Sequence, residues 1–230
     1  VLRNSAMRTA TFILCTSICY SFMNLFSYCV MEPEPEKENI PYKFAAEPTL
    51  PELVVFNVDE IIWPYKIDEV MTPPLKASNM KHQIKDRMGK VFELSPEAGQ
   101  ILEELFTRWY SVGGLVQSTD VGNIEEVMNL FNIDKFFKYF EVFPRLPGSK
   151  IKHITRIGER AKVPLEDILY FDSNKEDLEE MKTLGITSVY VDPKEGITYK
   201  HITEGFRLYF MTKNHTLSYH YALATTAQPA

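Results

Sequence analysis

The chain has 230 residues, a formal net charge of −6, 45% hydrophobic residues and three cysteines. That is room for one α/β domain of ordinary size with tails. Acidic and basic residues are mixed along the chain with no basic stripe, which argues against nucleic acid as a partner. Cys15, Cys19 and Cys29 all precede residue 31, so the remainder has neither a disulfide framework nor a cysteine-rich metal site.

Residues 1–31 form an apolar leader. Thr9 to Met31 is mostly apolar behind Arg3 and Arg8, but Ser17, Ser21, Asn24 and Ser27 interrupt it and no small-residue cleavage site follows. Two readings stay open: a signal peptide or membrane anchor, or a translated leader ahead of a start at Met31. The second implies a cytoplasmic protein, the first a membrane-anchored or secretory one. Residues 32–51 are rich in Pro and Glu and read as a disordered linker, residues 52–213 as the globular domain, and residues 214–230 as a weakly patterned, disordered tail.

The first element of the domain is Leu53–Val58, a continuous apolar run typical of a buried strand, with Asn57 and Asp59 two apart at its end. Pro64, Pro73 and Pro74 then keep the chain irregular, as in a small cap or flap. Lys76, Lys81, Lys85, Arg87 and Lys90 in the polar stretch 66–93 read as a solvated hairpin or as a positive rim. Ser95-Pro96-Glu97 has the pattern of a helix start with Ser as N-cap, and the helix runs to about Tyr110. Short strands follow at Val112–Val116, near Glu141–Phe143, at Ile168–Phe171 and at Thr187–Val191. Helical segments alternate with them: Asn123–Phe131, a helix opened by the Pro147-Gly148-Ser149-Lys150 turn, Lys175–Leu184 stopped by Gly185, and 198–212.

Strands alternating with helices imply a parallel sheet covered on both faces. Right-handed crossovers bring the C-terminal ends of the strands to one rim, and with them Asn57, Asp59, Ser118, Asp172 and the Lys150 turn.

Asn57-Val58-Asp59-Glu60-Ile61-Ile62-Trp63-Pro64 resembles the first motif of the haloacid-dehalogenase phosphatases, and its Trp-Pro pair resembles the eukaryotic magnesium-dependent phosphatase family, which has Asp-x-Asp-x-Thr-Leu-Trp-Pro. Pro73-Pro74, Pro147-Gly148-Ser149-Lys150 and Phe171-Asp172 follow in the family's order, over about residues 50–212. The resemblance implies a three-layer, Rossmann-like α/β fold with a small cap after the first strand. It implies phosphomonoester hydrolysis with Mg2+, on phosphotyrosine-like or sugar-phosphate substrates.

Roles carry over position by position. The family's nucleophilic Asp is Asn57 here, and a neutral carboxamide is a poor nucleophile and a weaker magnesium ligand. Asp59 matches the general acid/base, with its carbonyl as a metal ligand. The motif Thr is Ile61. The second-motif phosphate ligand is Gln117 or Ser118, the register being open by one. Lys150 matches the phosphate-neutralising lysine, Asp172 a metal-ligand carboxylate, and Ser173 stands where the family has a second Asp. The expectation is a family member with lost or weak catalysis. The alternatives are an active magnesium-dependent phosphatase, using a water positioned by Asp59 or a deamidated Asn57, and a non-catalytic module for a phospho-ligand or protein. A monomer acting on a phosphorylated small molecule or phosphoprotein is expected, with a membrane involved only if residues 9–31 are a genuine anchor.

Overall fold

The computed structural model describes residues 50–146 and 149–226, with side chains over 50–146 and 150–214. The leader, most of the linker, the Pro147-Gly148 turn and residues 227–230 lie outside the described residues. The domain is built on five parallel strands: β1 (Leu53–Asn57), β5 (Ser111–Gln117), β6 (Tyr139–Phe143), β7 (Ile168–Asp172) and β8 (Thr187–Tyr190). Their spatial order is β6-β5-β1-β7-β8. β1 is central because all five of its residues are buried, and it pairs with β5 on one side and β7 on the other. The order reverses at β1, so the crevice beyond its C-terminal end is the expected ligand position in such a sheet.

Alternate residues of each strand feed two cores. Val54 and Phe56 face a layer made by α2 (Ala98–Thr107), α3 (Val121–Phe131) and α6 (Tyr199–Thr226), supplying Ile101, Leu102, Ile124 and Val127, with Phe206 packed alongside. Leu53 and Val55 face α4 (Ser149–Ala161) and α5 (Lys175–Thr183), supplying Ile154, Ile157, Leu178 and Met181. The fold is therefore the expected three-layer Rossmann-like sandwich. Between β1 and α2 lie a one-turn helix, α1 (Ile67–Val70), and a three-stranded antiparallel sheet of β2 (Lys76–Ala77), β3 (Gln83–Lys85) and β4 (Val91–Glu93). This is the small cap after the first strand.

Three local expectations are corrected. Ser95 does not cap α2; its Oγ donates to the carbonyl of Ile61 (2.8 Å) and its N–H to that of Ile62 (2.8 Å), fastening the first motif to the base of the cap. β6 begins at Tyr139, earlier than the apolar pattern suggested, because Phe140 covers Gly114 on β5, where any Cβ would lie 2.6 Å from its ring. The last helix runs on to Thr226, beyond the expected end near residue 212; no Gly or Pro interrupts it after Gly205. Among the described residues no helix is long and apolar enough to cross a membrane.

Candidate functional site

The C-terminal ends of β1, β5, β6 and β7 frame a cavity of about 320 Å³. Asn57, Asp59 and Glu60 line it from the end of β1, Gln117 from β5, and Arg145 and Leu146 from the loop after β6. Lys150 on α4, Lys66 before α1, and Ser173, Asn174 and Asp177 after β7 complete the wall.

Asn57 and Asp59 are both buried, and Asn57 Nδ2 donates to the Asp59 carbonyl at 2.9 Å. The chain turns sharply here, with the Val58 carbonyl accepting from Ile62 N–H at 2.9 Å. That turn brings Trp63 back so that its indole N–H donates to Asp59 Oδ1 at 2.7 Å. Trp63 is itself fully buried and stacked on Phe131 of α3. The Trp of the Trp-Pro pair thus anchors the motif and orients the Asp59 carboxylate. Burial pushes that carboxyl up to about 6; the Trp63 and Ile67 N–H groups oppose the rise and Asp68 adds to it. Ile61 is buried, and its carbonyl accepts from Ser95 Oγ and from Ile197 N–H.

Lys150 Nζ reaches Asp172 Oδ2 and Asp177 Oδ2, each at 2.7 Å. Asp172 is wholly buried. Its Oδ2 also accepts from the Tyr170 hydroxyl at 2.6 Å, and its Oδ1 from Asn174 N–H at 3.1 Å. Desolvation, followed by the Asp172 charge, pushes the Tyr170 phenol well above its ordinary range, so it remains a donor. Asp172 therefore stands behind Lys150 and does not line the cavity; the next residue, Ser173, does. Ser173 Oγ donates to Glu60 Oε2 at 3.1 Å, and Glu60 also faces Lys66 Nζ at 3.5 Å. Glu60 adopts a left-handed backbone (φ 65°), which a non-glycine residue holds only at some cost.

Of the two second-motif candidates, Gln117 lines the cavity. Ser118 is buried, donating to Asp68 Oδ1 at 2.8 Å and accepting from Asp120 N–H at 2.9 Å, so it shapes the turn into α3. None of Lys76, Lys81, Lys85, Arg87 and Lys90 lines the cavity; its cations are Lys66, Arg145 and Lys150. Sequence reasoning passed over Glu60, Lys66 and Arg145. Arg145 had a usable signal, since it lies just past Pro144 beyond the C-terminal end of a parallel strand.

The family model for Acid Phosphatase matches residues 49–211. The chain belongs to the acid phosphatase family. Its relatives are consistent with the motif resemblance to haloacid-dehalogenase phosphatases. Magnesium-dependent phosphatase 1 of Homo sapiens is 24% identical over 160 residues, 70% of this chain and 88% of that protein. A HAD-like hydrolase superfamily protein of Schizosaccharomyces pombe is 25% identical over 147 residues, 60% of this chain and 83% of that one. A solved structure, the N-terminal part of a Bacteroides fragilis protein containing a phosphatase domain complexed with Mg, is similar at a TM-score of 0.49 and 13% identity, over 69% of this chain and 40% of that chain.

Magnesium prefers hard oxygen ligands, commonly including one or two carboxylates. Three carboxylates among the described residues line this cavity, Asp59, Glu60 and Asp177, and two of them are already paired with lysines. Asn57 is neutral and donates to the Asp59 carbonyl, Ser173 donates to Glu60, and the Glu60 and Asp177 carboxylates already face Lys66 and Lys150. Among the described residues no three His, Cys, Asp or Glu side chains gather as a metal cluster.

Proposed function

We propose that the cavity binds a phosphomonoester and hydrolyses it weakly or not at all. The observation that carries this reading is Asn57. At the end of the central strand, beside an acid with a raised pKa and in a cavity that buried Lys150 also lines, the position of the resembled family's nucleophile holds a carboxamide. Nucleophilic catalysis by a carboxylate needs a full negative charge on the attacking oxygen, which the amide lacks. The rest of the arrangement supports recognition of phosphate: Lys150, Lys66 and Arg145 supply charge, and Gln117 and the Asn57 amide supply neutral donors. The phosphate-bearing ligand is a small molecule or a phosphoprotein.

A second reading has one observation in its favour. Asp59, with its carboxyl near 6, has the acidity of a general acid/base working close to neutral pH, and an Asp59-positioned water would replace the missing nucleophile. In either reading the cavity lysines and arginine balance the phosphate charge. The deciding experiment is hydrolysis of a small aryl phosphate by the purified chain beside its Asn57→Asp variant, with and without magnesium. A silent parent and an active variant support the first reading. A parent that turns over with Asn57 intact by mass supports the second.

A further inference from the structure

We infer that this cavity takes phosphate without a divalent cation. The inference rests on the phosphomonoester reading of the site and specifies how the ligand's charge is balanced there. Two strand-end positions that line the cavity, Asn57 on β1 and Ser173 after β7, are neutral; the single O–H of Ser173 is spent on Glu60, while Asn57 keeps an N–H for a ligand. A carboxamide nitrogen carries two N–H bonds. In Asn57 one is spent on the Asp59 carbonyl, and the second is left for a ligand.

The pairing of the charged groups points the same way. Among the described residues three cations line the cavity, Lys66, Arg145 and Lys150, and three carboxylates balance them, Asp59, Glu60 and Asp177. Glu60 and Asp177 are each held against one of those lysines, at 3.5 Å from Lys66 and 2.7 Å from Lys150. A cation that used Glu60 or Asp177 would compete with the ammonium group already held there, which leaves it the Asp59 carboxylate, bonded to the Trp63 indole. A phosphate instead meets those ammonium groups, the free Asn57 N–H and the guanidinium of Arg145, which would share the anion with its partner Glu69. Buried Lys150 is the fixed point of this arrangement, since Asp172 holds it from behind at 2.7 Å.

The test is calorimetric titration of the full chain with inorganic phosphate, once in chelator and once in excess magnesium, together with a titration of magnesium alone. The expected result is a phosphate affinity that agrees within about twofold between the two buffers, with no saturable magnesium binding. Phosphate binding that appears only with magnesium would overturn metal independence and leave the phosphomonoester reading standing. No phosphate binding in either buffer would overturn both. The double variant Asn57→Asp with Ser173→Asp should lose about tenfold or more in phosphate affinity in chelator and recover it with magnesium. Metal-independent binding unchanged in that variant would refute the charge argument. Lys66→Ala, at a more exposed position, should weaken phosphate binding in chelator by about tenfold, and an unchanged affinity would count against the inference.

Discussion

The side-chain amide of Asn57 donates to the backbone carbonyl of Asp59 at 2.9 Å, closing the end of the central strand on itself. A carboxylate at position 57 has no proton to make this bond and would face the carbonyl with like partial charge. Asn57→Asp should therefore open the floor of the cavity and create the attacking group in one step. The expected outcome is an increase of about tenfold or more in aryl phosphate hydrolysis, appearing in kcat. Steady-state kinetics on the two proteins in parallel measure it, and equal rates would mean that position 57 does not limit the chemistry.

Asp59 gives the site a pH signature. Its folded-state pKa is raised from 3.8 to about 6, chiefly by burial, so the native state holds the proton more tightly than the unfolded one. The sign follows: this group favours the fold most below about pH 4, and that contribution is lost as pH rises to about 6, roughly 3 kcal/mol in all. Asp59→Asn keeps an oxygen for the Trp63 indole and removes the charge. Chemical denaturation should show the variant more stable than the parent at pH 8, by up to about 3 kcal/mol, and no more stable at pH 4. An equal difference at both pH values would refute burial of the charge as the cause.

Tyr170 donates to the same Asp172 oxygen that holds Lys150, at 2.6 Å, from a fully buried position. Tyr170→Phe removes the hydroxyl without removing the ring, leaving Asp172 to Lys150 and the Asn174 N–H. The expected cost is about 1–3 kcal/mol in urea denaturation at neutral pH, because a buried carboxylate loses a donor that water cannot replace. A variant as stable as the parent would show that Lys150 alone satisfies Asp172.

On the far edge of the sheet, Glu141 of β6 accepts from His153, Arg156 and Arg160 of α4, at 3.0, 3.1 and 2.9 Å. Burial raises its pKa, but the His153 and Arg160 hydrogen bonds and the charges of Arg156 and His153 outweigh burial, so the net shift is downward. A lowered carboxyl stabilises the fold above its ordinary pKa and loses that contribution as pH falls through the folded value. Glu141→Gln should lower Tm at pH 7, by the equivalent of about 1 kcal/mol, with a smaller difference at pH 3. Melting curves at the two pH values decide it.

Much of the fold was legible. Apolar runs ending in polar residues marked β1 and β7 because strands buried on both faces carry little else. The mixed boundary errors have specific causes. Ser95 has the residue type of an N-cap, but its hydroxyl bonds the Ile61 carbonyl 34 positions earlier, a partner no local pattern reveals. The start of β6 was obscured because Phe140 serves both as strand and as cover for Gly114.

The sequence by itself determined the order of the motifs, the parallel sheet that gathers them and the amide at position 57, because these depend on residue type and on spacing along the chain. Only the tertiary structure decided which neighbour at each strand end reaches the cavity. Successive side chains on a strand point to opposite sides, so a single step separates Gln117 in the wall from Ser118 in the turn, and Ser173 in the wall from Asp172 behind Lys150. The pairing of Glu60 with Ser173 joins residues 113 positions apart. It exists because β1 and β7 lie side by side in register, and a contact of that kind is a property of the packed sheet that neither segment carries alone.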